Sequence, residues 1–241
     1  MLKISILLFV AFIIRLAGIN WDDGAHLHPD ERMLMMVADK LNFFENLNPH
    51  FYNYGSLPIY ILKGLGQIID SFFSTGYSFY GEMLYLGRFL SVLTDVGVIF
   101  LIYNISLLLF KKNRAALFSS FLYAVAFFPI QNSHFFIVDT FLNFFITFLI
   151  YICLLYFKKP RIKYLFLLSI FFAAAITTKF TAIIFIPLLI ILIFYKSEKK
   201  FVNLLLFTSS FLLFTFLFMP YIFIDFQNFI KDIPPVYDLE Y

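Results

Sequence analysis

The chain has 241 residues, 62% of them hydrophobic and 22% aromatic, with a mean hydropathy of +0.88. Globular domains sit nearer half apolar, so this composition excludes a soluble domain and places the chain in lipid. Its net charge of +3 gathers in a few short clusters between apolar runs, which excludes a basic nucleic-acid-binding surface.

Repeated apolar runs closed by charge read as membrane helices. About seven are expected, at roughly 4–19, 84–110, 115–130, 135–157, 164–178, 180–195 and 201–224. The expected fold is an all-α polytopic membrane protein, one module over residues 1–241. A large loop spans 20–83, the rest of the bundle 84–224. The first run carries Arg15 late and no small-x-small cleavage site, so it reads as a retained anchor.

Within the loop, Met33, Val37, Leu41 and Phe44 recur at helical spacing, with Asp39 and Lys40 off that face. This predicts an amphipathic helix from Pro29 to Phe44. Residues 57–73 are apolar but glycine-broken and carry Lys63, and they predict a second helix lying in the membrane interface. The stretch Tyr52-Asn53-Tyr54-Gly55-Ser56 joins the two.

Lys111, Lys112 and Arg114 follow the second run. Lys158, Lys159, Arg161 and Lys163 follow the fourth, and Lys196, Lys199 and Lys200 the sixth. All fall on one side if seven runs span, and the positive-inside rule makes that side cytoplasmic. Loop 20–83 is then extracytoplasmic. Cys153 is the single cysteine, so no intramolecular disulfide or cysteine-built metal site exists.

The chemistry is expected around Asp30 and Glu31 in His28-Pro29-Asp30-Glu31-Arg32. Proline at a first helical position followed by acids in the first turn is also ordinary helix-start chemistry. Depth tips the balance. Arg15, Arg88, Asp139 and Lys179 all lie near the outer ends of apolar runs, and a charge at mid-bilayer costs about 2.5–3.5 kcal/mol. Four such charges at one level, under one large loop, imply a shared outward-facing site; independent snorkelling is the alternative. Asp95 lies seven residues beyond Arg88, ~10 Å deeper by helical rise, and is expected to be a structural partner. His28 and His134 sit in separate loops and are weak metal-ligand candidates; with acids nearby, a divalent ion at the outer face stays open.

Arg15 ending the first run, HPDE in the outer loop, YNYGSLP, GRFLSVLTD opening the second run, SHFFIVDT entering the fourth and TTKFTA after the fifth occur in that order. Together they resemble glycosyltransferase family 39 of the GT-C superfamily, which includes protein O-mannosyltransferases and lipid A aminoarabinose transferases. The resemblance implies a polyprenyl-phosphate-linked sugar as donor. It implies transfer with inversion, outside the cytoplasm, to a hydroxyl on a protein, lipid or glycan. It carries the catalytic acid to Asp30, with Glu31 beside it, and places Asp139 at the site. Lys179 and Arg88 become the candidates nearest the lipid phosphate, with His28, His134 and Tyr54 as further substrate-binding candidates. Seven spans with two interfacial helices form the superfamily's shared module. Its members continue beyond that module, whereas residues 225–241 read as the start of an outer loop, in a truncated product or a partial gene. The expected location is a prokaryotic plasma membrane.

Two readings from other classes stand beside this one. A transporter or channel subunit would distribute its charges through the midplane and break helices there, while these cluster at one face. An inactive remnant of the same fold would bind lipid without turnover. The inferred topology is tested by labelling from outside in a Cys153-free background. Cysteine introduced at Ser74 is expected to react and one at Asn113 to be protected; the reverse result inverts the orientation.

Overall fold

The computed structural model describes residues 2–232. Among these described residues twelve α-helices follow one another: α1 Leu2–Leu16, α2 Pro29–Asp39, α3 Leu57–Phe73, α4 Tyr80–Phe110, α5 Asn113–Ala124, α6 Phe127–Asn132, α7 Val138–Lys158, α8 Ile162–Ile176, α9 Ile186–Lys196, α10 Lys200–Phe218, α11 Tyr221–Ile224 and α12 Phe226–Asp232. A 3-10 turn, Phe180–Phe185, leads into α9. Among the described residues there is no strand, and one isolated bridge pairs Asn42 with Asn46. The expected stop at 234–241 lies outside the described residues.

Helices α4, α7 and α10 are long and apolar enough to cross a membrane, while α8 and the unit Phe180–Lys196 are shorter apolar helices. The expected count of seven spans is not established. Several runs that read as continuous are broken, and proline accounts for some of the breaks. A proline inside a helix removes a hydrogen bond and clashes with the preceding turn. Thus the run at 201–224 breaks at Pro220, the N-cap of α11. Pro187 falls in the first turn of α9, where its missing N–H costs nothing. The run at 115–130 divides between α5 and α6 at Val125 and Ala126, with Pro129 in α6. A hydropathy average passes straight through such breaks.

Helix α4 packs on α1, α5 and α7, and α8 packs on α7 and α10. One core, including Leu149, Leu168, Phe172 and Leu189, joins α7 through α10. A second, including Leu34, Met35, Ile59, Leu84 and Phe136, lies beneath the outer loop. The loop is therefore packed onto the bundle. Gly87 allows this approach, since a Cβ there would come within 2.7 Å of Met35 and 2.8 Å of Phe136. At the other end, Lys158 donates to the Leu108 carbonyl at 2.8 Å, which brings two of the basic segments together.

Helix α3 matches the expected 57–73. Helix α2 does not run to Phe44: it ends at Asp39, and its buried face is Glu31, Leu34, Met35 and Ala38. Met33 and Val37 are half-buried beside that face, and Phe44 is 91% exposed in the turn that follows. Lys63, within the apolar α3, is buried and donates to the carbonyls of Asp39 (3.2 Å) and Ser78 (2.7 Å). Burial lowers its pKa. Nearby, Asp70 accepts from Thr75, Tyr77 and Ser78. Burial alone would raise its carboxyl, but the hydrogen bonds outweigh it and hold the pKa at about 2.

Arg15 is fully buried and pairs with Asp95, as the depth argument anticipated for the acid. Arg15 also donates to the carbonyls of Ala11 (3.3 Å) and Ala124 (3.1 Å), so α1, α4 and α5 meet at one ion pair. Tyr123 donates to the second Asp95 oxygen at 2.6 Å. Removing one partner of a buried pair strands a charge, at about 3–5 kcal/mol, whereas well-packed apolar replacement of both is often neutral. Asp95→Leu is therefore expected to collapse thermal stability in detergent, and Arg15→Met/Asp95→Leu to recover most of it. A double variant no better than the single would show that the pair's worth is not its charge balance.

Candidate active site at the outer face

The N-terminus of α2 is where the two vicinal acids part company. His28 is its N-cap, and its Nδ1 accepts the Glu31 N–H at 3.4 Å. Pro29 occupies the first turn. Glu31 turns inward, fully buried, and its carboxylate meets the guanidinium of Arg88 from α4 at 2.9 and 2.7 Å. Asp22, in the loop after α1, grips the same guanidinium at 2.8 and 2.9 Å. The Ile19 carbonyl takes the fifth N–H at 2.8 Å. A guanidinium has five N–H donors, and here all five are used. Trp21 lies 5.5 Å from the Arg88 carbon. The Arg88 hydrogen bond leads the effects that hold the Asp22 carboxyl at about 2, against burial and with help from the N–H groups of Leu27 and Gly24.

Two expectations are corrected by this geometry. Arg88 has no donor left for a lipid phosphate. Glu31 is sealed from any substrate, and it also accepts the Phe136 N–H at 2.7 Å, which ties the segment before α7 to α2. Both are structural. Asp22, which the sequence reading passed over, completes the cage; its one signal was a doubled acid, Asp22-Asp23, after an apolar run.

The histidines are likewise occupied. His134 bridges the carbonyls of Ile130 and Ala17, both at 2.7 Å, and joins α6 to the end of α1. His28 caps α2 and lies against Phe135, with ring centres 4.4 Å apart. Neither is placed as a metal ligand, and among the described residues no group of three or more His, Cys, Asp or Glu is arranged to hold a metal ion. His26, buried and stacked on Tyr80 at 4.2 Å, has its pKa lowered by burial.

Asp30 is different. Half-buried, its carboxylate has no hydrogen bond or ion pair among the described residues. Opposite it, α8 ends in buried alanines and then Thr177 and Thr178, whose hydroxyls donate at 2.7 Å to the carbonyls of Ala173 and Ala174. The threonines' own backbone carbonyls are left free, and the outer loop takes them. Gly55 donates to Thr178 O at 3.0 Å and Leu57 to Thr177 O at 3.1 Å. Glycine is required here, because a Cβ at Gly55 would lie 1.9 Å from the Thr177 oxygen.

This clasp sets Tyr54 above Lys179, whose ammonium lies 5.8 Å from the ring centre. Lys179 pairs with Asp139, at the start of α7, at 2.7 Å; both are partly exposed. Burial raises the Tyr54 pKa first, then the charge of Asp30; Lys179 opposes and Asp139 adds. One phenol thus feels Asp30, Lys179 and Asp139 together. Asp30, Tyr54, Lys179 and Asp139 come together at one end of the bundle, and Glu31, Arg88, His28 and His134 serve as its frame.

The family described as dolichyl-phosphate-mannose-protein mannosyltransferase matches residues 72–224. Those residues include Arg88, Asp139 and Lys179, while Asp30 and Tyr54 precede them. By structure, the chain is similar to the S. cerevisiae protein O-mannosyltransferase Pmt1-Pmt2 complex bound to the sugar donor, with a TM-score of 0.66 at 19% identity. The alignment covers 95% of this chain and 34% of that chain, so this chain spans about a third of its length. The likeness is one of fold. No curated protein sequence matches the chain.

The contrast between the two acids is testable by stability alone. Glu31→Gln breaks a caged, fully buried charge and is expected to lower the melting temperature in detergent strongly. Asp30→Asn removes a carboxylate that holds nothing and is expected to leave it within a degree or two. Equal losses would mean that Asp30 is part of the frame.

Proposed function

The chain belongs to the dolichyl-phosphate-mannose-protein mannosyltransferase family of membrane glycosyltransferases, and on that premise we propose that it transfers a sugar from a polyprenyl-phosphate donor to a hydroxyl acceptor at the extracytoplasmic face. One observation carries the reading: Asp30, free of partners, shares the surroundings of Tyr54 with Lys179 and Asp139 at one end of the bundle.

Asp30 acts as general base. It takes the acceptor hydroxyl's proton as the oxygen bonds to the anomeric carbon from the face opposite the lipid phosphate. The bond from that carbon to the phosphate oxygen breaks, the phosphate keeps the electron pair, and the sugar inverts. Proton transfer by a placed carboxylate is worth roughly 10²–10⁴-fold. Lys179 balances the charge that grows on the leaving phosphate. Its ammonium gives one N–H to Asp139 and has others to offer, and at a membrane boundary such a contact is strengthened by low dielectric. Asp139 holds Lys179 in place. Tyr54 closes over the ammonium, and the lipid tail lies along the apolar helices. The basic segments at the other end support an inner-face orientation for Lys111, Lys158 and Lys196.

Asp30→Asn is expected to lower turnover by at least 10²-fold while leaving donor binding nearly unchanged; near-normal turnover removes the general base. Lys179→Gln is expected to weaken binding of a prenyl-phosphate sugar in nanodiscs at least tenfold, since a hydrogen bond to a charged group contributes about 1.5–3 kcal/mol. Lys179→Arg is expected to keep part of it. Equal affinity in wild type and Lys179→Gln takes Lys179 out of the site.

A further inference from the structure

Beneath Asp139 the bundle contains a cavity of about 280 Å³ between α4, α5, α6 and α7. It is the polar counterpart of the surrounding apolar packing, and its charges cancel. Asp95, almost wholly buried, lines it, but Arg15 already balances that carboxylate. Asp139 lines it from above, and Lys179 balances that one. A cavity whose carboxylates are each matched by a cation has no net charge to offer a metal ion or a phosphate. It suits a neutral, polar group.

The remaining lining says which kind. The Asn143 amide donates to Tyr123 at 2.7 Å, and Tyr123 donates to Asp95 at 2.6 Å. That chain of bonds, anchored on Arg15, fixes the Asn143 amide and leaves its carbonyl oxygen without a donor among the described residues. Asn132 lines the cavity with a side-chain amide that bonds to nothing among the described residues, offering donors and an acceptor. Asp139 keeps a second oxygen free beside the one on Lys179. Phe128 and Pro129 supply an apolar wall. Fixed acceptors, a free amide donor and a flat apolar face complement a hydroxylated ring, whose hydroxyls both donate and accept and whose C–H face is apolar.

We propose that this cavity is the sugar subsite of the donor, with Asn143 and Asn132 reading ring hydroxyls while Lys179, paired with Asp139 of its lining, holds the phosphate. Resting on the function proposed above, the assignment adds specificity-determining residues to it. Asp139 is the hinge between the two halves, one oxygen on the phosphate-binding lysine and one toward the sugar. Asn132 is the sharper probe of the pair because no protein group depends on its side chain.

The test compares two probes in the same nanodiscs: a prenyl phosphate carrying mannose or glucose, and the bare prenyl phosphate. Asn132→Ala and Asn143→Ala are each expected to weaken at least one sugar-bearing probe about three- to tenfold, the range of a neutral hydrogen bond, and to leave the bare phosphate unchanged. Lys179→Gln is expected to weaken all of them. Loss on sugar-bearing and bare probes alike, or on none, overturns the subsite while the phosphate reading stands. Wild-type protein that binds no sugar-bearing probe better than the bare one overturns it equally. Wild-type protein that binds none of them sinks the glycosyltransfer reading, and the subsite with it. Melting temperatures of the asparagine variants within a degree or two of wild type separate recognition from folding.

Discussion

Arg88 is a cation buried away from solvent, and the half of the molecule around it is arranged to satisfy it. Burying an ion unpaired costs several kcal/mol even after relaxation, and a single carboxylate leaves donors unfilled. Here two carboxylates and a carbonyl fill all five. Those acceptors come from the segment after α1 and from the first turn of α2, while the Glu31 carboxylate reaches on to Phe136. Four stretches of chain therefore cannot move independently. Successive residues on a helix point roughly 100° apart, by the 3.6-residue turn. With Glu31 locked inward, its neighbour Asp30 must face elsewhere. The frame aims the acid without touching it.

The second constraint is made of backbone. Gly55 and Leu57 donate to the carbonyls of Thr178 and Thr177, which are free because α8 ends there and no further helical N–H reaches them. The clasp joins the N-terminal outer loop to the turn that carries Lys179, more than 120 residues away in sequence. A third tie, from Asn48 and Tyr52 to Asp225, brings the end of α11 to the same loop. Acid, lysine and phenol are thus held by elements that would otherwise drift apart.

Composition and charge spacing were enough to place the chain in lipid, to find α3 within its bounds and to assign Asp95 a structural partner. They also set Arg15, Arg88, Asp139 and Lys179 at one level beneath the loop; of these, Asp139 and Lys179 pair beside Tyr54, while Arg15 and Arg88 are buried in pairs of their own. What they could not show is which charges cancel one another. Arg88 looks like chemistry in a linear string because it is expensive in a membrane, and Glu31 because it stands beside Asp30 in the loop; in the fold the two neutralise each other. Asp22 lies in the same loop, where an acid by itself costs nothing, and no neighbouring motif marked it. The inward face of α2 was misjudged because Met33 and Val37 satisfy the spacing as well as Leu34, Met35 and Ala38 do. Only the Glu31–Arg88 bond chooses between the two faces.

The polar groups then fall into an order by depth and freedom. Arg15 with Asp95, and Arg88 with its two acids, are buried ion pairs, and every donor of Arg88 is used. Lys179 with Asp139 is paired but partly exposed, so the pairing can be shared with an incoming phosphate. Asn143 and Asn132 are neutral, so they can face a cavity without demanding a counter-ion. Asp30 has no hydrogen bond or ion pair among the described residues. Fixed charge far from solvent costs no reorganisation when new charge develops nearby, which is what preorganised electrostatic catalysis requires. A transporter needs its polar groups to change partners along a path. Here the deep pairs are fully buried, exposure rises through Lys179 and Asp139, and the series ends at Asp30, whose carboxylate has no hydrogen bond or ion pair among the described residues.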